Sequence, residues 1–354
     1  MHHRFLTSLA IPAVVLAVVS LPAVAGQAPT AAGQTKAAAK RVPAGKTWTA
    51  PRTPWGDPDL QGVWNDATST PLQRPGGVGD KQVLRDEEAA EFQDDIAKNL
   101  TRDRRDGGPE ADVGRAYNEH WMDARRLKIT ADHRTSLIVD PPDGRIPPLV
   151  PLTPERLKAR AARVEAVARF NAGLPNDPEE MSLPVRCIIR TDSPPYLPTI
   201  YNNDFQIFQS PGYVVIAPEM IHSARIIPLD GRPHLGPTLR QWLGDTRGRW
   251  DGKTLVIETT NFRSDDGVIF QDANPATYHI TERFTRVDAD TIEYEFTVGD
   301  ETTWAKPWTA RIPWTKIDPA EQMYEYACHE DNYDIVHLLA GARTREKNGE
   351  TVVR

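Results

Sequence analysis

The run Tyr278-His279-Ile280-Thr281-Glu282-Arg283-Phe284-Thr285-Arg286-Val287 is followed, after Asp288-Ala289-Asp290, by Thr291-Ile292-Glu293-Tyr294-Glu295-Phe296-Thr297-Val298. Apolar and polar residues alternate in both halves, the period of a β-strand with one buried face. So short a separator leaves no room for a crossover, so the halves must pair antiparallel. Outward from this hairpin the same period covers Asp204–Gln209, Tyr213–Ala217, His222–Pro228, Thr254–Thr260, Trp308–Pro313 and Met323–Cys328, with Val185–Arg190 leading in. Ser210-Pro211-Gly212, Asp251-Gly252 and Gly299-Asp300 supply turn chemistry between them. The expected fold is mainly β: an antiparallel meander of about eight strands closing into a barrel, with a β-sandwich as the alternative. Closure is favoured because about eight strands make a barrel wide enough for one small ligand.

Upstream of the meander the texture is different. Leu84–Leu100 reads as a helix, with Asp86, Glu87 and Glu88 at its positive end and Ala89, Phe92 and Ile96 at helical spacing. Pro154–Phe170 is a second helix, capped by Thr153, with Leu157, Ala161, Val164, Val167 and Ala168 forming a face. Thr135–Val139 reads as a strand, and Asp140-Pro141-Pro142-Asp143-Gly144-Arg145 as a tight turn. Trp55 and Trp64 flank a turn and are expected to pin the start of the domain onto its body; Trp64 could also line an aromatic binding wall. The resulting plan is a helix-and-loop segment over 47–184 packed on a barrel-like domain over 185–345, with a tail at 346–354.

The N-terminus has a basic head, an apolar run from Leu6 to Leu21, and Ala23-Val24-Ala25 before Gly26. That is the pattern of a secretory signal over 1–25, and Pro12 and Pro22 leave the run short for a membrane span. Residues 26–46 lack apolar periodicity and are expected to form a tether. Localisation is therefore expected to be outside the cytoplasm, periplasmic or extracellular, with no transmembrane segment in the mature chain. In such a compartment the two cysteines, Cys187 and Cys328, are expected to pair; two free thiols are the alternative.

Composition narrows the function class. Of 354 residues 39% are apolar and 26% charged, enough for a core, and the formal charge of −7 gives no footprint for nucleic acid. No GxGxxG, GxxxxGK or GxSxG pattern occurs, so no nucleotide cofactor and no α/β-hydrolase are expected. Cys328-His329-Glu330 with His337 holds ligand-type residues, but not at zinc spacing, and no metal is expected.

Several longer runs carry a resemblance. They are Arg249-Trp250-Asp251-Gly252-Lys253-Thr254-Leu255-Val256-Ile257-Glu258-Thr259-Thr260-Asn261-Phe262, the stretch Thr281 to Thr291, Lys306-Pro307-Trp308-Thr309, and Tyr324-Glu325-Tyr326-Ala327-Cys328-His329-Glu330. With Trp55 to Trp64 and Thr135 to Pro148, the chain resembles a large family of exported, mostly uncharacterised bacterial proteins. The resemblance implies export and covers most of the mature chain; it carries over no activity and no catalytic residue. The alternating hairpins are also similar to lipocalin-type barrels, a likeness of architecture only.

Candidate chemistry comes from strand parity. On Tyr278–Val287 the residues Tyr278, Ile280, Glu282 and Phe284 share one face, so Glu282 lies among apolar groups. There it is either paired with an arginine or held protonated for acid–base work. His222 and Arg225 stand near the third strand of the meander, on opposite faces unless a bulge intervenes. The leading expectation is an exported enzyme acting on a small organic molecule as a hydrolase, lyase or isomerase. Glu282 and His222 would transfer protons and Arg225 would hold an anion or oxyanion. Asp204, Glu258, His279, Trp250, Trp308 and His329 are further ligand-binding candidates, although cross-strand pairing and core packing explain such residues equally. The alternatives are a non-catalytic binding protein for an apolar or aromatic ligand, and an envelope scaffold or interaction module. The partner expected is a small molecule; oligomeric state is not legible.

Overall fold

The alternating segments become strands because each offers one apolar face to a common interior. In the computed structural model, residues 48–100, 108–110, 126–190, 192–221, 223–263, 270, 273–318, 320–321 and 323–350 are described, without the side chains of 97–100. The strands are β1 (Gly62–Asn65), β2 (Ile138–Asp140), β3 (Asp204–Ser210), β4 (Tyr213–Pro218), β5 (Arg225–Pro228), β6 (Asp245–Asp251), β7 (Thr254–Thr260), β8 (His279–Arg286), β9 (Thr291–Gly299) and β10 (Trp308–Lys316). The helices are α1 (Asp86–Leu100), α2 (Pro154–Asn171) and α3 (Asp334–Lys347).

Nine strands form one nearly closed antiparallel barrel in the order β5-β4-β3-β1-β10-β9-β8-β7-β6, and β2 pairs with β10 beside that path. Two meanders are thus stitched together by β1, which pairs Trp64 with Phe205 of β3 and with Lys316 of β10. Every pair along the path is antiparallel, so its two end strands, β5 and β6, run in the same direction. A parallel junction needs a long crossover, and residues 229–244 provide it. No ladder pairing joins β5 to β6. They meet through side chains: a Cβ on Gly248 would lie 2.7 Å from Ile227 Cγ2 and 2.7 Å from Leu229 Cδ2, so only glycine permits the approach.

The interior is filled. Phe205, Ile207, Ile216, Ile227, Leu255, Ile257, Phe284, Tyr294, Phe296, Trp308, Ile312 and Trp314 are all buried in one cluster. Trp314 stacks on Phe205 at 4.4 Å between centroids and meets Tyr294, Tyr196 and Phe284 at 5.2, 5.7 and 5.3 Å. Each such buried ring removes enough apolar surface to contribute about 2–3 kcal/mol. The expected barrel forms, but the space expected for a ligand is occupied by aromatic side chains.

Several boundaries differ from the sequence reading. Val185–Arg190 is not a strand: Cys187 has φ of 53°, and Arg186, Cys187 and Ile188 donate back to Ser182, Pro184 and Leu183 in successive turns. Met323–Cys328 is also irregular, with Tyr324 N donating to Glu219 Oε1 at 3.0 Å. Their places in the ring are taken by β1, too short to show a period, and β6, whose inward residues are Thr246, Gly248 and Trp250. The segment upstream of 185 therefore supplies β1 and β2 as well as helices. Helix α2 starts as read, with Arg156 N donating to Thr153 Oγ1 at 3.4 Å, yet Leu157, Val164 and Val167 on its apolar face are 52%, 62% and 48% exposed. The signal over 1–25 and the tether over 26–46 lie outside the described residues. Among the described residues no helix is long and apolar enough to cross a membrane.

Cys187 and Cys328 form a disulfide, tying the turn that leads into β3 to the segment after β10. Constraining an unfolded chain across 141 residues is worth on the order of 5 kcal/mol in the chain-entropy model. Replacing both cysteines by serine is expected to lower stability by about 2–5 kcal/mol, read as a lower urea midpoint. An unchanged midpoint would mean that other contacts already hold these segments together.

Candidate functional site

Two of the sequence-predicted catalytic residues meet inside the barrel. Arg225 comes from β5 and Glu282 from β8, across the interior, with side chains 2% and 0% exposed. The guanidinium grips the carboxylate with two bonds, Nη1 to Oε1 at 3.1 Å and Nη2 to Oε2 at 2.6 Å. Arg225 also donates to Tyr196 Oη and Thr259 Oγ1, both at 3.1 Å. Tyr294 Oη donates to Glu282 Oε1 at 2.9 Å and accepts from Tyr196 N at 3.1 Å. Parity explains the convergence: Glu282 sits between Ile280 and Phe284, Tyr294 between Ile292 and Phe296, and Thr259 follows Leu255 and Ile257 on one inward row.

Electrostatics follow from burial and pairing. Burial works to lower the Arg225 pKa, but attraction and hydrogen bonding by Glu282 and Tyr196 together raise it, so the guanidinium stays charged. Burial raises the phenols of Tyr196, Tyr278 and Tyr294 above the ordinary tyrosine range, and the Glu282 charge adds to the rise. Both carboxylate oxygens of Glu282 are engaged, and no approach from solvent reaches them. This arrangement stores charge in a fixed geometry; it does not present a base to an outside molecule.

An accessible cleft lies at the barrel wall. Where β5 and β6 part, a cleft of about 280 Å³ is lined by Ala224, Arg225, Ile226, Gln241, Leu243 and residues Gly244 to Arg247. Arg225 Nε is buried there without a hydrogen-bond partner. Asp245 fastens the crossover loop over the seam, accepting from Leu235 N at 2.8 Å and lying 2.9 Å from His234 Nδ1. Arg247 closes the arrangement, donating to Asp245 Oδ1 at 2.7 Å and Pro233 O at 3.0 Å. A chain of hydroxyls connects cleft and interior: Thr246 Oγ1 is 3.3 Å from Thr259 Oγ1, which accepts from Arg225.

The other candidates are scattered. His222 lies outside the described residues. Asp204 is buried at the head of β3, accepting from Asn65 Nδ2 at 2.7 Å and Arg126 Nη1 at 3.1 Å. Glu258 is on the outer surface with Arg249 at 2.9 Å. His279 is exposed at the barrel end, its Nδ1 3.0 Å from Thr277 O. Trp308 belongs to the interior cluster and Trp250 packs against it. His329 is exposed in the turn next to the disulfide. Among the described residues no group of three or more His, Cys, Asp or Glu side chains is placed to hold a metal ion.

Tyr196, Tyr294, Thr259, Asp245 and Arg247 are absent from the sequence-based candidates. Alternation could have singled out Tyr294 and Thr259. Tyr196 follows Pro194-Pro195, where no period exists, and Asp245 and Arg247 lie in β6, which has no alternating aliphatic row to mark it as a strand.

Glu282→Gln leaves the Arg225 charge buried without a counter-charge and is expected to cost about 3–5 kcal/mol of stability. Replacing Arg225 and Glu282 together by methionine is expected to recover most of that loss, because no charge then remains to be solvated. Chemical denaturation of both variants checks this; a Glu282→Gln protein as stable as the parent would mean that water reaches the pair. The chain matches no protein-family model, and a search of curated proteins finds no similar sequence.

Proposed function

We propose that this chain is an extracytoplasmic binding protein that holds a small, neutral, polar molecule at the seam of its barrel. The observation that carries the reading is the cleft between β5 and β6, where two strand edges lack a ladder partner beside buried Arg225. Unpaired strand edges present backbone donors and acceptors, the groups that fix the orientation of a bound molecule. Gln241 and Thr246 add side-chain partners, and Leu243 and Ile226 add apolar surface. Charge selects against ions: Arg225 is balanced by Glu282, and Arg247 by Asp245. At about 280 Å³ the cleft is at the small end of ligand pockets, which start at roughly 300 Å³.

The N-terminal signal pattern and the resemblance to exported bacterial proteins support the extracytoplasmic part of this reading, and the disulfide supports an oxidising compartment. The lipocalin likeness is narrower: those barrels carry a ligand in the lumen, whereas here aromatic rings fill it. An acid–base enzyme using Glu282 has less support, because Glu282 does not border the cleft and its oxygens already have partners.

Screening a library of neutral polar fragments by amide NMR tests the reading. A binding fragment is expected to shift Arg225, Ile226, Gly244, Thr246 and Arg247, and Ala224→Trp is expected to abolish the shifts by filling the cleft from an exposed position. Shifts confined to β8 and β9, or shifts that survive Ala224→Trp, would contradict it.

A further inference from the structure

A second pocket lies outside the barrel, beside β2 and β10. It measures about 210 Å³ and is lined by three arginines, Arg74, Arg134 and Arg311, and one carboxylate, Asp132, with Gln82, Val83 and Ser136 among its other walls. Two of the three are neutralised within the protein: Arg134 Nε binds Asp132 Oδ1 at 3.0 Å, and Arg311 Nη2 binds Glu295 Oε2 at 2.7 Å. Arg74 is different. It is only 6% exposed, yet its guanidinium bonds go to neutral oxygens, Nε to Thr135 Oγ1 at 2.9 Å and Nη2 to the Pro142 carbonyl at 3.1 Å. No carboxylate among the described residues forms an ion pair with it.

A guanidinium taken out of water without a counter-charge is costly. Arg286 shows the other way this chain meets the cost: it too bonds to carbonyls, of Asp59 and Ala289, but it lies over the rings of Trp48 and Trp64 at 5.8 and 5.3 Å. No ring stands against Arg74 among the described residues. Its position is nonetheless built with care. Arg74 N donates to Gly144 O at 2.8 Å, and a Cβ on Gly144 would come within 3.1 Å of Arg74 Nη2 and collide with Ser136. Gly144 has φ of 67°, so the turn that shapes this wall requires glycine for its backbone as well as for space.

From the uncompensated, geometrically fixed charge of Arg74 and the pocket it lines, we infer that this pocket binds the anionic oxygen group of a small molecule, a carboxylate or a phosphate. Guanidinium groups present paired N–H donors that match such oxygens, and Arg134, although paired with Asp132, lines the same pocket with further N–H groups. The site is separate from the seam cleft, shares no lining residue with it, and takes the opposite kind of ligand.

The probes are inorganic phosphate and acetate, titrated separately at constant ionic strength into the protein and followed by NMR of backbone amides and of arginine Nε–H groups. Saturable shifts at Arg74 Nε–H, Ser136, Ile138 and Val139 are expected. A response to phosphate alone assigns a tetrahedral oxyanion, and a response to acetate assigns a carboxylate. Val83 is 57% exposed on the rim, so Val83→Glu supplies the missing negative charge without disturbing the interior. It is expected to weaken anion affinity at least tenfold and to raise the melting temperature in anion-free buffer. Arg134→Gln, which leaves Arg74 and its bonds in place, is expected to weaken affinity severalfold. No saturable shift with either anion, or equal affinity in the parent and Val83→Glu, overturns the inference.

Discussion

Strands that alternate in direction around a ring can all be antiparallel to their neighbours only if their number is even. This barrel has nine on its path, so one junction must be parallel, and it falls between β5 and β6. Much else follows from that constraint. The parallel junction requires the crossover 229–244, where the β3–β4 and β6–β7 hairpins need only short turns. Without a ladder the two strands are held by Ile227 and Leu229 against Gly248 at one end, and they part at the other, where Arg225 borders a cleft. The odd strand is β1, inserted between β3 and β10 from the start of the domain.

The interior meets the seam through Arg225. Its residue faces inward from the last strand of one meander and grips Glu282 on a strand of the other. A buried ion pair of this kind gains little net free energy over an apolar pair, because desolvation offsets the attraction. What it offers is register. Shifting β5 by one residue would turn Arg225 to the outside and leave Glu282 alone in a ring of aromatic groups. With no ladder to fix β5 against β6, a charged pair across the lumen is a physical device that specifies how the barrel closes. Tyr196, Tyr294 and Thr259 complete the bonding, so the polar cluster sits within the aromatic core at tolerable cost.

The sequence revealed the strands with strict alternation, and it revealed that Glu282 faces an apolar interior and would be either arginine-paired or protonated. The partner arginine could not be read, because pairing across a barrel depends on closure and not on spacing along the chain. Strands β1 and β6 were hidden for different reasons: β1 is too short to display a period, and β6 carries Thr246, Gly248 and Trp250 on its inward row in place of a run of aliphatics. Val185–Arg190 and Met323–Cys328 failed as strands because the disulfide and the turns around Cys187 set their conformation. The seam cleft was not legible at all. It arises from the parity of the whole sheet, a property that no local stretch of sequence carries.

That the lumen is a sealed core, leaving the wall as the place for ligands, can be tested through its phenols. Tyrosines labelled at the ring carbon bearing the hydroxyl can be followed individually by NMR as pH rises. A free phenol ionises near pH 10. Burial raises Tyr196, Tyr278 and Tyr294, so their contribution to stability is complete below that pH and is lost as pH climbs above it, when the unfolded chain ionises first. The expected result is that these three resonances keep their neutral positions past pH 10 and change only together with unfolding. Ionisation of the three near pH 10, with the fold intact, would mean that water enters the lumen and would contradict a sealed core.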